Sequence, residues 1–247
     1  MRFLITIAYD GSHYNGYQKQ KNGNTIQNKL EDALTSINGD KGVSVYASGR
    51  TDAGVHALGQ KVHFDLSVDI ISEKLIRSLN SLLPDDIYVK NCEEVADNFH
   101  ARFDVKAKEY VYKINMGEYD PIMKDYIYQY NKRLDVVEIE RALKYIEGTH
   151  DFKSFTAGDD VREDYVKTII SANVIRDLKN VNMLTITFLG TGFMRYMVRN
   201  IVGTLIQIGE GKYKSTDIIE IIEAKDRRKA GICASPCGLY LKDVFYR

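Results

Sequence analysis

Apolar residues recur along the chain with two spacings, every second residue in some segments and every three to four residues in others. The first spacing, together with short apolar runs, predicts strands at residues 3–9, 43–46, 62–66, 87–95, 105–115, 166–175, 184–188 and 239–245. The second predicts helices at residues 24–38, 72–83, 135–146, 193–208 and 215–224. The first hundred residues therefore follow the order β-α-β-β-α-β, and the second half broadly repeats it.

Polar residues at the starts of these helices predict where they are capped. Asn24 is followed three residues later by Gln27, a pattern typical of a capping box. Asp135 and Glu138 form the same pattern at the third helix. Ser72 is predicted to cap the second helix. The inward stripe of the second helix is Leu75, Ile76, Leu79 and Leu82.

The order of elements indicates the fold class. A β-α-β-β-α-β unit is typical of a ferredoxin-like fold, which has one sheet with helices on one face. We therefore predict an α+β protein with two ferredoxin-like halves, residues 1–102 and 103–247. No low-complexity linker separates them, so we expect a shared, mostly antiparallel sheet with a central cleft.

The composition and the absence of certain sequence patterns indicate where in the cell the protein resides. The 247 residues are 44% hydrophobic, which is enough for a substantial core. No apolar run reaches the length of a membrane span, and the first residues lack the pattern of a signal peptide. The three cysteines, Cys92, Cys233 and Cys237, are too few for a disulfide scaffold or a structural zinc site. We expect a cytoplasmic protein without a membrane segment or a metal.

Charge alone does not identify a partner. Lysine plus arginine equals aspartate plus glutamate, 34 each, and the resulting formal net charge of zero counts mildly against nucleic-acid binding. Phosphates respond to local patches, however. Basic residues cluster at Arg102, Lys106 and Lys108, at Arg195 and Arg199, and at residues 227–229. Each cluster is either a solvated face or part of a binding site.

One stretch, residues 48–60, fits neither spacing and carries chemically useful groups. It holds three glycines, which let a backbone take positive φ. Arg50 lies two residues from Asp52, and a nearby guanidinium favours an ionised carboxylate. An ionised Asp in a rigid loop can act as a nucleophile or base. The alternative is an ordinary strand connector in which Asp52 caps a turn.

Three further side chains each allow two interpretations. Tyr110 shares a strand face with Tyr112, where it can stack on a base or pack within the sheet. Arg199 lies at the margin of a helical stripe, either paired with a carboxylate or phosphate or extended along the surface into water. His56 can donate to a phosphate or carry a proton, or it can hydrogen-bond the loop backbone.

Residues 49–56, with the sequence Gly-Arg-Thr-Asp-Ala-Gly-Val-His, resemble the active-site signature of the tRNA pseudouridine synthase A family. Further similarities follow in the family's order along nearly the whole chain, at residues 9–12, 16–18, 99–103, 110–112, 197–203 and 238–241. Two features depart from the family pattern. Tyr17 stands where the family more often has Trp, and residues 156–163 have no place in the pattern.

The resemblance implies an isomerase that breaks the bond between uracil N1 and ribose and rejoins the base through C5. It implies that Asp52 is the nucleophile and that Arg199 orients Asp52 and keeps it ionised. Arg50 then helps to hold the flipped-out uridine, Tyr110 packs against the uracil, and Leu239 covers it. The reaction is redox-neutral, so no cofactor is expected.

The resemblance also implies a substrate and an assembly. The substrate is the 3′ side of the tRNA anticodon stem-loop, and the enzyme is a homodimer. We expect His56, Arg102 and Arg195 to contact RNA. Two other functions remain open, a related enzyme that acts on another RNA such as ribosomal RNA, and a non-catalytic RNA-binding protein that keeps the fold. The presence of Asp52 argues against the second, because binding alone needs no nucleophile.

Overall fold

The structure, a computed structural model, describes residues 1–21, 23–161 and 163–246. These residues form five α-helices and ten strands, and the strand pairs are mostly antiparallel, so the predicted α+β class is confirmed. In chain order the elements are β1 (Arg2–Tyr9), α1 (Ile26–Ile37), β2 (Tyr46–Ala47), β3 (His56–Asp65), α2 (Ser72–Leu82), β4 (Ile87–Val95), β5 (Ala107–Asn115), β6 (Tyr128–Gln129), α3 (Val136–Ile146), β7 (Gly148–Asp151), β8 (Val166–Arg176), β9 (Met183–Gly190), α4 (Met197–Gly209), α5 (Asp217–Ala224) and β10 (Leu239–Phe245).

The chain divides into two compact units, Met1–Lys106 together with the segment from Tyr240 onwards, and Ala107–Leu239. The sequence-based division into 1–102 and 103–247 places the last strand in the second half. In the structure that strand, β10, pairs in parallel with β3, with Tyr240 opposite His56. The last strand therefore belongs by contact to the first unit.

The first unit has the predicted order β1-α1-β2-β3-α2-β4. Strand β1 lies between β3 and β4 and is antiparallel to both. The other edge of β3 has two partners, β10 at residues 56–57 and the short β2 at residues 62–63. Alternate side chains of β1 and β3 fill the core with the helices, and the most buried are Phe3, Ile5, Ile7, Val62, Phe64, Leu30, Leu34, Leu75 and Leu79. Burying a side chain of this size contributes about 1.5–3 kcal/mol.

Three expectations for the helices of the first unit are wrong. Helix α1 is capped by Thr25, whose hydroxyl accepts from the Asn28 N–H at 3.3 Å. Asn24 instead donates through Nδ2 to the carbonyl of His13, which holds the preceding loop. Helix α2 starts after Ile71 with no side-chain cap. Leu82 was expected to face the core, but it is the last residue of α2 and is 53% exposed, so the buried stripe ends at Leu79.

The second unit has the strand order β5-β9-β8-β7, all antiparallel, with β6 parallel to β5. Its core is formed chiefly by Tyr112, Ile114, Ile139, Leu143, Ile186, Phe188, Ile201 and Leu205. The Asp135 cap is confirmed, because its carboxylate accepts from the Val137 and Glu138 N–H groups. Strands β6 and β7 were not predicted, since two and four residues are too short to show a period.

None of the helices within residues 1–21, 23–161 and 163–246 has the length and hydrophobicity needed to cross a bilayer.

Candidate active site

The loop between β2 and β3 carries Asp52 at the start of a tight turn. The Val55 N–H donates to the Asp52 carbonyl at 3.1 Å, which closes a four-residue turn. Gly54 is the third residue of this turn and has φ +77°. A turn of this type needs positive φ at that position, which glycine adopts without strain. The requirement explains the glycine two residues after Asp52.

Buried polar groups fix the base of the loop. Ser48 is fully buried, and its N–H donates to the Lys61 carbonyl at 2.8 Å. Its hydroxyl donates to Gln60 Oε1 at 2.6 Å, and Gln60 Nε2 donates to the Gly49 carbonyl at 2.8 Å. Because both side chains are buried and bonded, the loop is anchored on β3 just before Asp52.

The segment after β1 packs directly against the other side of the loop. The hydroxyls of Tyr9 and Thr51 are 2.7 Å apart, and the Tyr17 N–H donates to the Thr51 carbonyl at 3.1 Å. A methyl group on Gly11 would lie 2.0 Å from the Val55 carbonyl oxygen, so only glycine fits there. Gly16 has φ +92°, and a methyl group added there would lie 2.8 Å from the Thr51 carbonyl oxygen. This support is a role that the sequence similarity at 9–12 and 16–18 did not indicate.

Two buried tyrosines beneath the loop differ in one respect that can be measured. The Tyr9 hydroxyl is bonded to Thr51, whereas the Tyr17 hydroxyl has no hydrogen-bond partner among the described residues. We expect Tyr9→Phe to lower the free energy of unfolding by about 1–2 kcal/mol, because it leaves Thr51 with an unmet group. Tyr17→Phe is expected to leave it unchanged or to raise it by up to about 1 kcal/mol. Urea titrations measure both changes. A larger loss of unfolding free energy for Tyr17→Phe than for Tyr9→Phe would contradict the hydrogen bonding described for the two hydroxyls.

His56 lies inside the first unit. The residue is 1% exposed, and its Nδ1 accepts from the Gly11 N–H at 3.2 Å and lies 3.2 Å from Asp10 Oδ1. The ring stacks on Tyr240, with centroids 4.7 Å apart and an interplanar angle of 20°. This geometry favours a structural role for His56, although the backbone that it bonds is that of Gly11, after β1, and not that of the loop itself. Arg50, on the same loop, is exposed.

Arg102 lies on a different loop of the first unit, which follows β4. The Ala101 N–H ties this loop to β3 by donating to His63 Nδ1 at 3.1 Å. Burial lowers the pKa of His63 to about 4, so its ring remains a neutral acceptor near pH 7. Arg102 itself is exposed, with its guanidinium carbon 6.0 Å from the ring centroid of Phe103.

In the second unit, Arg199 occupies the first turn of α4 and is held by a neighbouring backbone segment. Its Nε donates to the Ala234 carbonyl at 2.8 Å, and the Ala234 N–H donates to the Arg199 carbonyl at 3.1 Å. A methyl on Gly203 would lie 1.6 Å from the Ile232 oxygen, so a glycine in the next helical turn permits this approach. Arg199 is thus half-buried against backbone, which neither sequence interpretation described.

Tyr110 and Leu239 both lie at well-packed positions. Tyr110 pairs with Phe188 across β5 and β9, is 8% exposed, and meets Phe193 edge to face at 5.0 Å. Tyr110 therefore packs within the sheet of the second unit, which was one of its two interpretations. Leu239 is 5% exposed and follows a 3-10 turn whose Gly238 leaves no room for a methyl beside the Tyr112 ring.

Arg195 begins a connected group of side chains at the start of α4. Its Nη1 donates to both carboxylate oxygens of Asp159, at 3.1 and 3.2 Å, and its Nη2 donates to the Tyr196 hydroxyl at 3.2 Å. The Ala157 N–H donates to the Arg195 carbonyl at 3.1 Å. The stretch 156–163, which the sequence pattern left unplaced, therefore docks here, although Arg162 lies outside the described residues.

Asn200 strengthens the same docking. Its Nδ2 donates to the carbonyls of Phe155 and Thr156, and its Oδ1 accepts from Arg227 Nη2 at 2.9 Å. Arg227 also donates to the Ala230 and Gly231 carbonyls. Arg227, one member of the 227–229 basic cluster, thus donates hydrogen bonds to backbone carbonyls and does not lie on a solvated face.

The structure brings some candidate residues together within each unit. In the first, Arg50 and Asp52 share one loop, His56 begins the strand that follows it, and Arg102 lies on another loop. In the second, Arg195 and Arg199 lie on either side of Tyr196 in sequence and both contact its ring. Tyr196 was missed by sequence reasoning, although its position between two arginines was a usable signal. No group of three or more His, Cys, Asp or Glu side chains in the described part of the chain is placed to hold a metal ion.

Comparison with known proteins identifies relatives along the whole chain. The profile of a family described as "tRNA pseudouridine synthase" matches residues 5–104 and 142–247. A protein named tRNA pseudouridine synthase A from Exiguobacterium sp. (strain ATCC BAA-1283 / AT1b) is 46% identical over 245 residues, covering 99% of this chain and 98% of the relative. Proteins of the same name from Geobacillus sp. (strain WCH70) and Streptococcus pneumoniae (strain P1031) are 44% and 42% identical, each over 246 residues with the same coverage.

Proposed function

The chain belongs to the tRNA pseudouridine synthase family, and from this premise we propose that it modifies uridines on the 3′ side of the tRNA anticodon stem-loop. The family makes the chain a pseudouridine synthase, an isomerase that acts on tRNA. The position in the tRNA is our proposal. It is supported by the similarity of the sequence motifs to those of the A family and by relatives that carry that name over nearly their full length.

We assign Asp52 as the nucleophile. The observation that carries this assignment is the rigid presentation of Asp52, at the start of a glycine-dependent turn anchored by Ser48 on one side and by Tyr9 on the other. Pre-organisation of this kind favours a transition state over a ground state because no loop has to be ordered during the reaction. The target base must first leave its stack, at a cost of a few kcal/mol.

The other roles follow the same scheme. Arg50, which is exposed on the Asp52 loop, helps to hold the flipped-out uridine. As the family resemblance implies, Arg199 orients Asp52 and keeps it ionised, since a cation brought to a carboxylate stabilises its charge. Tyr110 packs against the uracil, and Leu239 covers it. Arg102 and Arg195, which are both exposed residues, contact RNA. The burial of His56 gives it a structural part at the start of β3.

We also propose the assembly and compartment in which the reaction occurs. The enzyme is a homodimer, with each tRNA contacting both subunits, and it works in the cytoplasm, where its tRNA substrate is found. Three sparse cysteines, none of them in a disulfide, are consistent with a reducing compartment. Since the formal net charge is zero, the RNA-binding face is expected to be basic and balanced by acidic surface elsewhere.

The substrate assignment is tested with tRNA transcripts labelled with tritium at uridine C5. The C5 hydrogen leaves only when the new glycosidic bond forms there, so released tritium counts completed isomerisations. We expect release from a whole transcript and none after the uridines on the 3′ side of the anticodon stem-loop are replaced by cytidine. A transcript with replaced D-arm uridines is the matched control and should retain release. Release that persists without the anticodon-arm uridines would refute the proposed position.

The same assay separates the two other functions. Release from ribosomal RNA but from no tRNA would indicate a related enzyme with another substrate. Tight RNA binding with no release from total cellular RNA would indicate a non-catalytic RNA-binding protein.

A further inference from the structure

We propose that Tyr196 is a positioning residue for Arg199, holding its guanidinium in the orientation that the reaction requires. The inference rests on the proposed role of Arg199 at Asp52. It assigns a function to a side chain that lies just before α4 and to the segment that docks on it. All of the contacts that carry it lie within the second unit.

The backbone of Tyr196 is in an unusual conformation. Its φ and ψ are 62° and −1°, in the left-handed region that non-glycine residues seldom adopt. Tyr196 nevertheless occupies the N-cap of α4, where its carbonyl accepts from the Asn200 N–H at 2.8 Å and its side chain makes no capping bond. Strained positions of this kind persist where surrounding contacts over-determine them, and they concentrate at functional sites.

The left-handed backbone places the Tyr196 ring against both neighbouring guanidinium groups. The Arg199 Cζ lies 5.1 Å from the ring centroid, and the Arg195 Cζ lies 4.7 Å from it. Both distances are within the range of a cation–π contact. Arg199 is therefore held by two different groups, the ring of Tyr196 and the Ala234 carbonyl that accepts from its Nε.

Arg195 and Asp159 complete the arrangement. Two guanidinium groups on one ring repel each other, and the Asp159 carboxylate offsets the charge of Arg195 through its two contacts. The Arg195 Nη2 also fixes the Tyr196 hydroxyl at 3.2 Å. The segment that carries Asp159 thus supports the ring through Arg195, and the ring in turn contacts Arg199. This gives the unplaced stretch 156–163 a part in the site.

Two substitutions separate the ring from the backbone. Tyr196→Asn removes the ring but keeps a residue type that tolerates the left-handed conformation. Tyr196→Phe keeps the ring and removes only the hydroxyl bonded to Arg195. In single-turnover tritium release from C5-labelled tRNA, we expect Tyr196→Asn to lower the rate constant by roughly 10- to 100-fold. The tRNA concentration for half-maximal rate should change by less than about threefold, because Arg199 acts on the reaction and not on overall binding. Tyr196→Phe should recover most of the rate.

A double-substitution cycle distinguishes positioning from general damage. If Tyr196 acts through Arg199, then adding Tyr196→Asn to Arg199→Gln should produce no further loss. Multiplicative losses, or a Tyr196→Asn enzyme with the wild-type rate, would overturn the inference. Tyr119→Asn, at an exposed tyrosine of the same unit, is the matched control and should behave as wild type. If thermal unfolding shows that Tyr196→Asn is not folded, Tyr196→Gly takes its place. It removes the same ring and relaxes the backbone, and the same outcomes apply.

Asp52→Asn in the same assay separates this inference from the proposed function. No release by the wild-type enzyme from any tRNA would refute the proposed function, and an active Asp52→Asn enzyme would refute the assignment of Asp52 as the nucleophile. An inactive Asp52→Asn enzyme beside a fully active Tyr196→Asn enzyme would refute the positioning role alone.

Discussion

Asp52→Asn is expected to reduce tritium release by roughly 10⁴-fold or more, the scale seen when a residue at the centre of covalent catalysis is removed. Asparagine has nearly the same size and shape, but it lacks the negative charge and the nucleophilic oxygen. The turn should survive the substitution, because the Val55 N–H donates to the backbone carbonyl of residue 52, which asparagine retains. Single-turnover release from C5-labelled tRNA, with enzyme in excess, measures the chemical step directly.

A matched substitution and two further measurements complete this test. Asp69 is exposed, so Asp69→Asn changes the same functional group without touching the loop and should keep the wild-type rate. Asp52→Asn itself should retain affinity for tRNA and its thermal unfolding temperature, since the loop is anchored elsewhere. Turnover by Asp52→Asn within tenfold of wild type would remove Asp52 from the mechanism.

Gly11→Ala is expected to damage both stability and activity. The added methyl would lie 2.0 Å from the Val55 carbonyl oxygen, a backbone atom that cannot rotate away. The chain must then shift at β1 or at the loop, and overpacking of this kind destabilises by about 1–3 kcal/mol or more. Because Val55 closes the turn that begins at Asp52, we also expect at least a tenfold loss of tritium release in the molecules that remain folded. Urea titration and single-turnover release report the two effects separately.

Gly42→Ala is the control for this prediction. It lies in the same unit, an added methyl there meets nothing within 4 Å, and its φ lies outside the positive range. We expect wild-type activity and a stability change within about 0.5 kcal/mol. If Gly11→Ala matched Gly42→Ala in both measurements, the close packing of the N-terminal segment on the loop would be disproved.

The hydrophobic pattern was sufficient for the five helices and for most strands, though not for β6 and β7. Strand β4 was predicted at the residues where it is found, and the cap at Asp135 was predicted as well. These features are local, because they depend on the spacing of neighbours along one segment. The start of β3 was missed for a physical reason. His56 and Ala57 are both buried, so burial does not alternate there and the strand period is lost.

The parts of the candidate site that consist of short sequence motifs were predictable. The Asp52 loop stood out through its glycines, and one of them, Gly54, is needed for a positive φ. The contact of Gly11 with Val55 joins segments that are far apart in sequence, so no local pattern reports it. The backbone conformation of Tyr196 was not predictable either, because tyrosine on its own disfavours the left-handed conformation that the surrounding contacts impose.

The pairing of β10 with β3 has a consequence for the order of events during synthesis. The residues that place Tyr240 on the ring of His56 leave the ribosome after the whole of Ala107–Leu239. A nascent chain that has already exposed its first hundred residues still lacks a strand on the edge of β3 beside the Asp52 loop. The first unit is therefore completed last, and a growing chain acquires its finished loop only after the second unit has been made.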